Sequence, residues 1–157
     1  MMSSANDFDF LFGSWDVEHR KLQKRLARCE TWDVFAGTST TNPTMGGAGN
    51  IEDNNLNDPN GPYRAVALRS FDAASSTWSI WWLDGRSPTQ LDPPVVGSFV
   101  DDIGIFECRD TLDTIPITVR FTGFASPADS PRWVQAFSAD DGTTWETNWV
   151  MRFSKNG

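Results

Sequence analysis

Short segments in which aromatic and β-branched residues alternate with polar ones dominate the second half of this chain. The clearest examples span residues 78–83, 115–121, 132–137 and 144–153. Turn-forming clusters such as Asp-Gly and Ser-Pro separate the segments at intervals of about 8–12 residues. This spacing predicts an all-β protein, an antiparallel up-and-down β-barrel of about eight to ten strands. A barrel of that size has room for one small ligand.

The chain has 157 residues, which is the usual length of one domain. We predict a polar tail over residues 1–7 and a single barrel domain over 8–157. Residues 8–12 form an apolar cluster, predicted to be a short helical turn that plugs one end of the barrel. The remaining predicted strands span residues 15–20, 30–41, 49–56, 63–71, 77–83, 95–100 and 103–110. The basic stretch 21–28 fits either one helical turn or a long loop.

The charge balance restricts the classes of partner. The 21 acidic residues outnumber the 13 basic ones and give a net charge of −8. Because nucleic acids and anionic membranes attract basic surfaces, we expect neither as a partner. We find no basic and apolar leader segment and no apolar stretch of the ~20 residues that a membrane span needs. We therefore expect a cytoplasmic protein in which Cys29 and Cys108 are free thiols.

Aromatic residues are abundant, with eight Trp and eleven Phe against one Tyr. Each large ring buries ~150–250 Å² of surface, so these residues can build a core, a cavity lining or both. The predicted strand 77–83 carries Trp78 and Trp82 on one face and Trp81 on the other. One of these faces is then covered by a loop or by a second subunit, which leaves a homodimer open.

His19 is the only histidine, and it shares a strand face with Trp15 and Val17. This position predicts an inward side chain. It is either a hydrogen-bonded packing residue or a neutral imidazole that moves protons, contacts a ligand or binds haem. One histidine excludes a multi-histidine metal site, and the carboxylates of Glu52, Asp53 and Asp58 are interpreted as solvated acids. We expect no metal and no cofactor.

Polar residues at strand ends and among rings are the other candidates. Asp84 and Arg86 flank Gly85 at the end of a strand. They form either an exposed ion pair or a site at the rim of the barrel that recognises a polar group. Gln135 lies between Trp133 and Phe137, so its amide needs a partner in the core or on a ligand. In the last strand either the Trp149 set or the set with Asn148 and Arg152 faces inward, and the register stays open.

Gly13-Ser14-Trp15, which follows the apolar turn, resembles the Gly-x-Trp signature of the lipocalin/calycin superfamily. The resemblance implies a Trp15 ring across the closed end of the barrel, packed against a basic side chain of the last strand, for which Arg152 is the candidate. Residues 8–17, 91–97 and 132–149 also resemble a bacterial family of domain-of-unknown-function proteins with a calycin-like barrel. That family implies the fold and supplies no catalytic residues.

Two functional hypotheses follow, beside a third in which the barrel is only an interaction module. In the first, the barrel binds a small, mainly apolar or aromatic molecule. The predicted ligand-binding residues are Trp82, Arg86, Trp133, Gln135, Asn148 and Trp149. In the second, the same cavity belongs to a cofactor-independent isomerase, cyclase, hydratase or lyase. His19 is then the catalytic acid or base, and Asp84 or Arg86 steers charge at the rim.

Overall fold

Within residues 3–155, which the computed structural model describes, ten antiparallel strands pair in sequence order. The barrel closes because β1 pairs with both β2 and β10. The strands are β1 (Gly13–Leu22), β2 (Trp32–Thr44), β3 (Gly49–Leu56), β4 (Tyr63–Asp72), β5 (Thr77–Asp84), β6 (Val95–Val100), β7 (Ile103–Leu112), β8 (Ile115–Phe124), β9 (Arg132–Ser138) and β10 (Glu146–Lys155). The predicted all-β, up-and-down barrel is confirmed, at the upper end of the predicted strand number.

The strands extend further than the sequence pattern predicts at several ends. β1 continues to Leu22, so Lys21 pairs with Asp33 of β2 instead of starting a loop or a helical turn. Residues 23–31 then form the connection. β2 likewise continues beyond its predicted end at residue 41 to Thr44, and its last residues pair with the start of β3. Backbone pairing with a neighbouring strand overrides the local turn chemistry in both places.

The up-and-down order places alternate connections at the same end of the barrel. Residues 23–31, 57–62, 85–94, 113–114 and 139–145 connect strands at one end, the open end. Asp113 and Thr114 both have positive φ (47° and 76°), as in the two-residue turns that match the twist of paired strands. The opposite, closed end holds the N-terminal turn.

The closed end is filled by aromatic rings. The 3₁₀ turn Asp9–Leu11 brings Phe8 into the barrel, where its ring centroid lies 4.8 Å from that of Trp78 and 5.1 Å from that of Phe99. Both contacts are edge-to-face, and each such pair contributes ~0.5–1.5 kcal/mol beyond burial. Phe8 and Leu11 are buried. The predicted plug is confirmed, and its geometry is a single 3₁₀ turn.

The segment before the plug is attached to the same end. The Trp78 Nε1 donates a hydrogen bond of 3.0 Å to Asp7 Oδ2, and Ser3 also donates to that oxygen. The Phe99 backbone N–H donates to Ser3 Oγ at 3.2 Å. The predicted polar tail is therefore bound to the barrel at residues 3 and 7. Residues 1 and 2 of the tail, and residues 156 and 157 of the predicted domain, lie outside the described residues.

Trp15 closes the same end from β1. Its ring is buried, and Nε1 donates to the Leu11 carbonyl at 2.9 Å. The basic partner is Lys155, whose Nζ lies 4.2 Å from the ring centroid. The prediction that Arg152 fills this role is wrong, because Arg152 is exposed and pairs opposite Glu18 on the outer face.

The helical elements of residues 3–155 are two 3₁₀ turns, Asp9–Leu11 and Met45–Gly47. Neither has the length or the hydrophobicity of a membrane-crossing helix.

Candidate functional site

A cavity of about 500 Å³ opens at the open end of the barrel. This volume lies within the range of ~300–1,000 Å³ that small-molecule sites occupy. Its apolar walls consist of aromatic and branched side chains: Ile80, Trp82, Val95, Ile117, Val119, Phe121, Phe137 and Trp149. Charged side chains surround the mouth: Lys21, Arg25, Asp33, Asp58, Asp84, Arg86, Asp92 and Asp110. The site is therefore amphipathic, with rings, branched side chains and the amides of Gln135 and Asn148 inside and charges at its entrance.

The structure brings five of the six predicted ligand-binding residues to this cavity: Trp82, Arg86, Gln135, Asn148 and Trp149. The sixth, Trp133, lies against a small neighbouring void of about 20 Å³, which Gln135 also lines. The Trp133 ring stacks on Phe121 with centroids 5.6 Å apart. Trp133 therefore supports the cavity wall from behind. Ligand binding by the six residues stays a prediction.

A bulge in β10 decides how its polar and aromatic residues are arranged. The pairing of β10 with β9 shifts between Thr147 and Trp149, so the consecutive residues Asn148 and Trp149 are both buried. Gln135 Nε2 donates a hydrogen bond of 2.7 Å to Asn148 Oδ1. The two sets that the sequence left as alternatives thus both contribute, and Gln135 has a protein partner as well as a place on the cavity wall.

His19 is buried as predicted, but it lies behind the wall. Its Nδ1 accepts a hydrogen bond of 3.1 Å from Trp149 Nε1, and its ring stacks on Phe35 with centroids 5.0 Å apart. Burial, followed by the charge of Lys21, lowers the pKa of His19 to about 4, although Asp58 opposes the shift. The ring is therefore neutral near pH 7, with its proton on Nε2.

His19 is not among the described residues that line the cavity. Its side-chain contacts are with Trp149, which does line the cavity, and with Phe35. The catalytic roles predicted for His19 and Asp84 stay predictions.

Lys21 is a site residue that the sequence reasoning missed. Its Nζ donates a hydrogen bond of 3.1 Å to Tyr63 Oη and lies 4.2 Å from the ring centroid of Trp149. Burial and then the nearby charge of Arg86 lower the pKa of Lys21 to about 8. The signal was present, because Lys21 continues the alternation of Val17 and His19 along β1.

Arg86 and Asp84 form an ion pair at the cavity mouth. Arg86 donates to Asp84 through Nη2 at 2.8 Å and through Nε at 3.1 Å, and its Cζ lies 3.6 Å from the ring centroid of Tyr63. Burial raises the pKa of Asp84, but hydrogen bonds and charge from Arg86 outweigh it, and the net shift is downward. Burial raises the pKa of Tyr63 to about 12, so its hydroxyl stays protonated.

Acidic groups and a thiol line the cavity where the 85–94 connection, which carries Asp92, meets Cys108 and Asp110 of β7. Burial, followed by the charge of Asp110, raises the pKa of Asp92. Burial likewise raises the pKa of Cys108 to about 11, so the thiol is protonated and a poor nucleophile near pH 7. Cys29 and Cys108 are both free, as predicted.

The acidic residues near β3 lie in three different environments. Glu52 is buried in the barrel and pairs with Arg69 at 2.7 Å, whereas Asp53 pairs with Arg64 on the outer surface. Asp58 lies at the cavity mouth. Over residues 3–155, no cluster of three or more His, Cys, Asp or Glu side chains is arranged to hold a metal ion.

A solved structure shares this fold. It is the crystal structure of a protein of unknown function from the DUF3598 family of Nostoc punctiforme, with a TM-score of 0.58 and 12% sequence identity. The match covers 99% of this chain and 50% of that one, so the chain spans about half the length of its structural neighbour. No protein-family model and no curated protein matches the sequence. At this identity the likeness concerns the fold alone.

Proposed function

We propose that the protein binds a small organic molecule with an aromatic or apolar body in the open-end cavity. The observation that carries this proposal is the cavity of about 500 Å³ with rings and branched side chains inside and charges at its entrance. Burial of an apolar ligand surface there contributes roughly 25 cal/mol per Å². The closed barrel and the Gly13-Ser14-Trp15 motif support an affiliation with the lipocalin/calycin superfamily, which we propose on the same basis.

The walls of the cavity are held in place before a ligand arrives. The ring centroids of Trp82 and Trp149 lie 5.6 Å apart in an edge-to-face contact. The hydrogen bond to His19 fixes the plane of the Trp149 indole. Because these side chains are ordered by the protein, binding costs less conformational entropy than it would in a collapsed or mobile pocket.

Titration with N-phenyl-1-naphthylamine, an uncharged fluorescent aromatic probe, tests the proposal. We expect saturable probe fluorescence with one site per chain, together with quenching of tryptophan emission. Val119→Trp, which fills the cavity from β8, weakens binding at least about tenfold. Val34→Trp is the control, because Val34 is 54% exposed on the barrel surface. Folded wild-type protein without saturable binding, or equal binding by both variants, contradicts the proposal.

A further inference from the structure

The charged groups at the cavity mouth are unequally paired. Asp84 accepts hydrogen bonds from both Nε and Nη2 of the Arg86 guanidinium. Asp58 accepts from the Asn60 backbone N–H at 2.8 Å and from its side-chain amide at 3.1 Å. The ion pairs among residues 3–155 do not include Lys21. Two cations at the mouth, Lys21 and Arg25, thus have no carboxylate partner among these residues. Arg25 is exposed and lies over Phe137, whereas Lys21 is half-buried on the cavity wall.

The surroundings of Lys21 leave part of its hydrogen-bonding capacity unused. Its Nζ carries three N–H donors, and one of them donates a hydrogen bond of 3.1 Å to Tyr63 Oη. The Trp149 ring face, 4.2 Å away, attracts the positive charge more weakly than a carboxylate would. A partly desolvated ammonium group with free N–H donors is a site for an anion.

We propose that the ligand is an aryl carboxylic acid whose carboxylate is bound by Lys21 Nζ. This inference rests on the proposed function, because it names the chemical class of the molecule in the same cavity. The aromatic part lies against the apolar walls, next to Trp82 and Val119, and the carboxylate faces the β1 side of the mouth. The ammonium group and the rings are adjacent in the structure, since Lys21 lies over the Trp149 ring.

The other charges around Lys21 orient the acid. Arg86 and Arg25 add positive potential near the amine, whereas Asp58 and Asp84 oppose it. The β7 side of the mouth carries the acidic pair of Asp92 and Asp110, whose charges interact. A carboxylate is therefore repelled from β7 and attracted to β1, which orients the ligand within the cavity.

The experiment compares naphthalene-1-acetate with naphthalene-1-acetamide, two compounds of the same shape that differ in charge. The affinity of each compound is measured by displacement of N-phenyl-1-naphthylamine. The proteins compared are wild type, Lys21→Met, Lys21→Arg and Lys24→Met. We expect the acid to bind wild-type protein about 10- to 100-fold more tightly than the amide, the range of one charge-assisted hydrogen bond. Lys21→Met removes this preference without weakening the amide, and Lys21→Arg retains most of it. Lys24→Met behaves as wild type, because Lys24 is exposed and outside the cavity.

The outcomes separate this inference from the proposed function. If the naphthylamine binds but the acid shows no preference over the amide, or Lys21→Met keeps that preference, the inference is wrong and the proposed function stands. If no aromatic probe binds, both are wrong.

The pH dependence of binding to wild-type protein provides a second readout, which does not require Lys21→Met to fold. The preference for the acid declines above pH 8 as Lys21 loses its proton, and a preference unchanged between pH 6 and pH 10 overturns the inference.

Discussion

Trp149 Nε1 donates a hydrogen bond of 3.1 Å to His19 Nδ1, which connects the only histidine of the chain to the wall of its cavity. The bond joins two neighbouring strands, because β1 pairs with β10. The imidazole also stacks on Phe35 of β2. His19 is therefore placed to hold the Trp149 ring in position.

We expect His19→Phe to lower the free energy of unfolding by about 1–3 kcal/mol, since the buried Trp149 N–H loses its acceptor. The phenyl ring can still stack on Phe35. The variants Trp149→Phe and His19→Phe/Trp149→Phe complete a double-mutant cycle, measured by urea denaturation. The double variant recovers part of the loss, because neither partner is then left unpaired. Additivity of the two single effects within 0.5 kcal/mol would contradict this reading.

The pKa of His19 predicts a pH dependence of stability. The value is about 4 in the folded chain against 6.5 for the free side chain, so the unfolded state binds more protons between these values. Stability therefore falls as the pH falls from about 6.5 to about 4, by up to about 3 kcal/mol from this residue. Urea denaturation of wild type and His19→Phe is measured over this pH range. The difference between their free energies of unfolding gives the contribution of His19 protonation. Parallel curves for the two proteins would rule it out.

Glu52 and Arg69 form a buried ion pair of 2.7 Å near the closed end. Arg69 also donates to Asn50 Oδ1 at 2.8 Å, and Asn54 donates to Glu52 Oε2 at 3.0 Å. We expect Glu52→Ala to cost about 3–5 kcal/mol, because it leaves the Arg69 charge buried without its partner.

Asp53→Ala is the matched control for Glu52→Ala. Asp53 lies on β3 beside Glu52, and its substitution breaks an exposed ion pair with Arg64 of β4. We expect it to cost under about 1 kcal/mol. Both costs are obtained from urea denaturation midpoints and slopes. Equal losses of unfolding free energy in the two variants would show that leaving the Arg69 charge buried without a partner has no extra cost.

Gly37 of β2 has no room for a side chain. A Cβ there would lie 2.4 Å from the Asn55 carbonyl oxygen and 2.9 Å from His19 Nε2. We expect Gly37→Ala to destabilise the protein by about 1–3 kcal/mol and to weaken aromatic-probe binding, because both His19 and the β2–β3 pairing must shift.

The control for Gly37→Ala is Gly46→Ala, whose Cβ would meet nothing within 4 Å. Gly46 has a φ of 63°, so its cost is limited to backbone strain of roughly 1–2 kcal/mol. Thermal unfolding and probe titration of the two variants make the comparison. Unchanged probe binding in Gly37→Ala would mean that His19 does not hold the cavity wall.

The site could be predicted from the sequence only in part. The side chains of Trp82, Asp84 and Arg86 reach the cavity as expected, because they lie at the end of one strong strand pattern. Lys21 opens the basic stretch 21–28, which fits either a helical turn or a loop, and only its alternation with Val17 and His19 indicates that β1 continues. Its place on the wall depends on pairing with Asp33, a partner twelve positions away.

The alternation of apolar and polar residues by itself determined which segments form strands and the inward direction of Trp15, Val17 and His19, because side chains alternate with a period of two in any strand. The tertiary structure alone decided which side chains meet. The bulge at Asn148 and the pairing of β1 with β10 bury Asn148 and Trp149 together and give Trp15 the amine of Lys155 in place of Arg152. Register between distant strands depends on closure of the whole barrel, and no local segment contains that information.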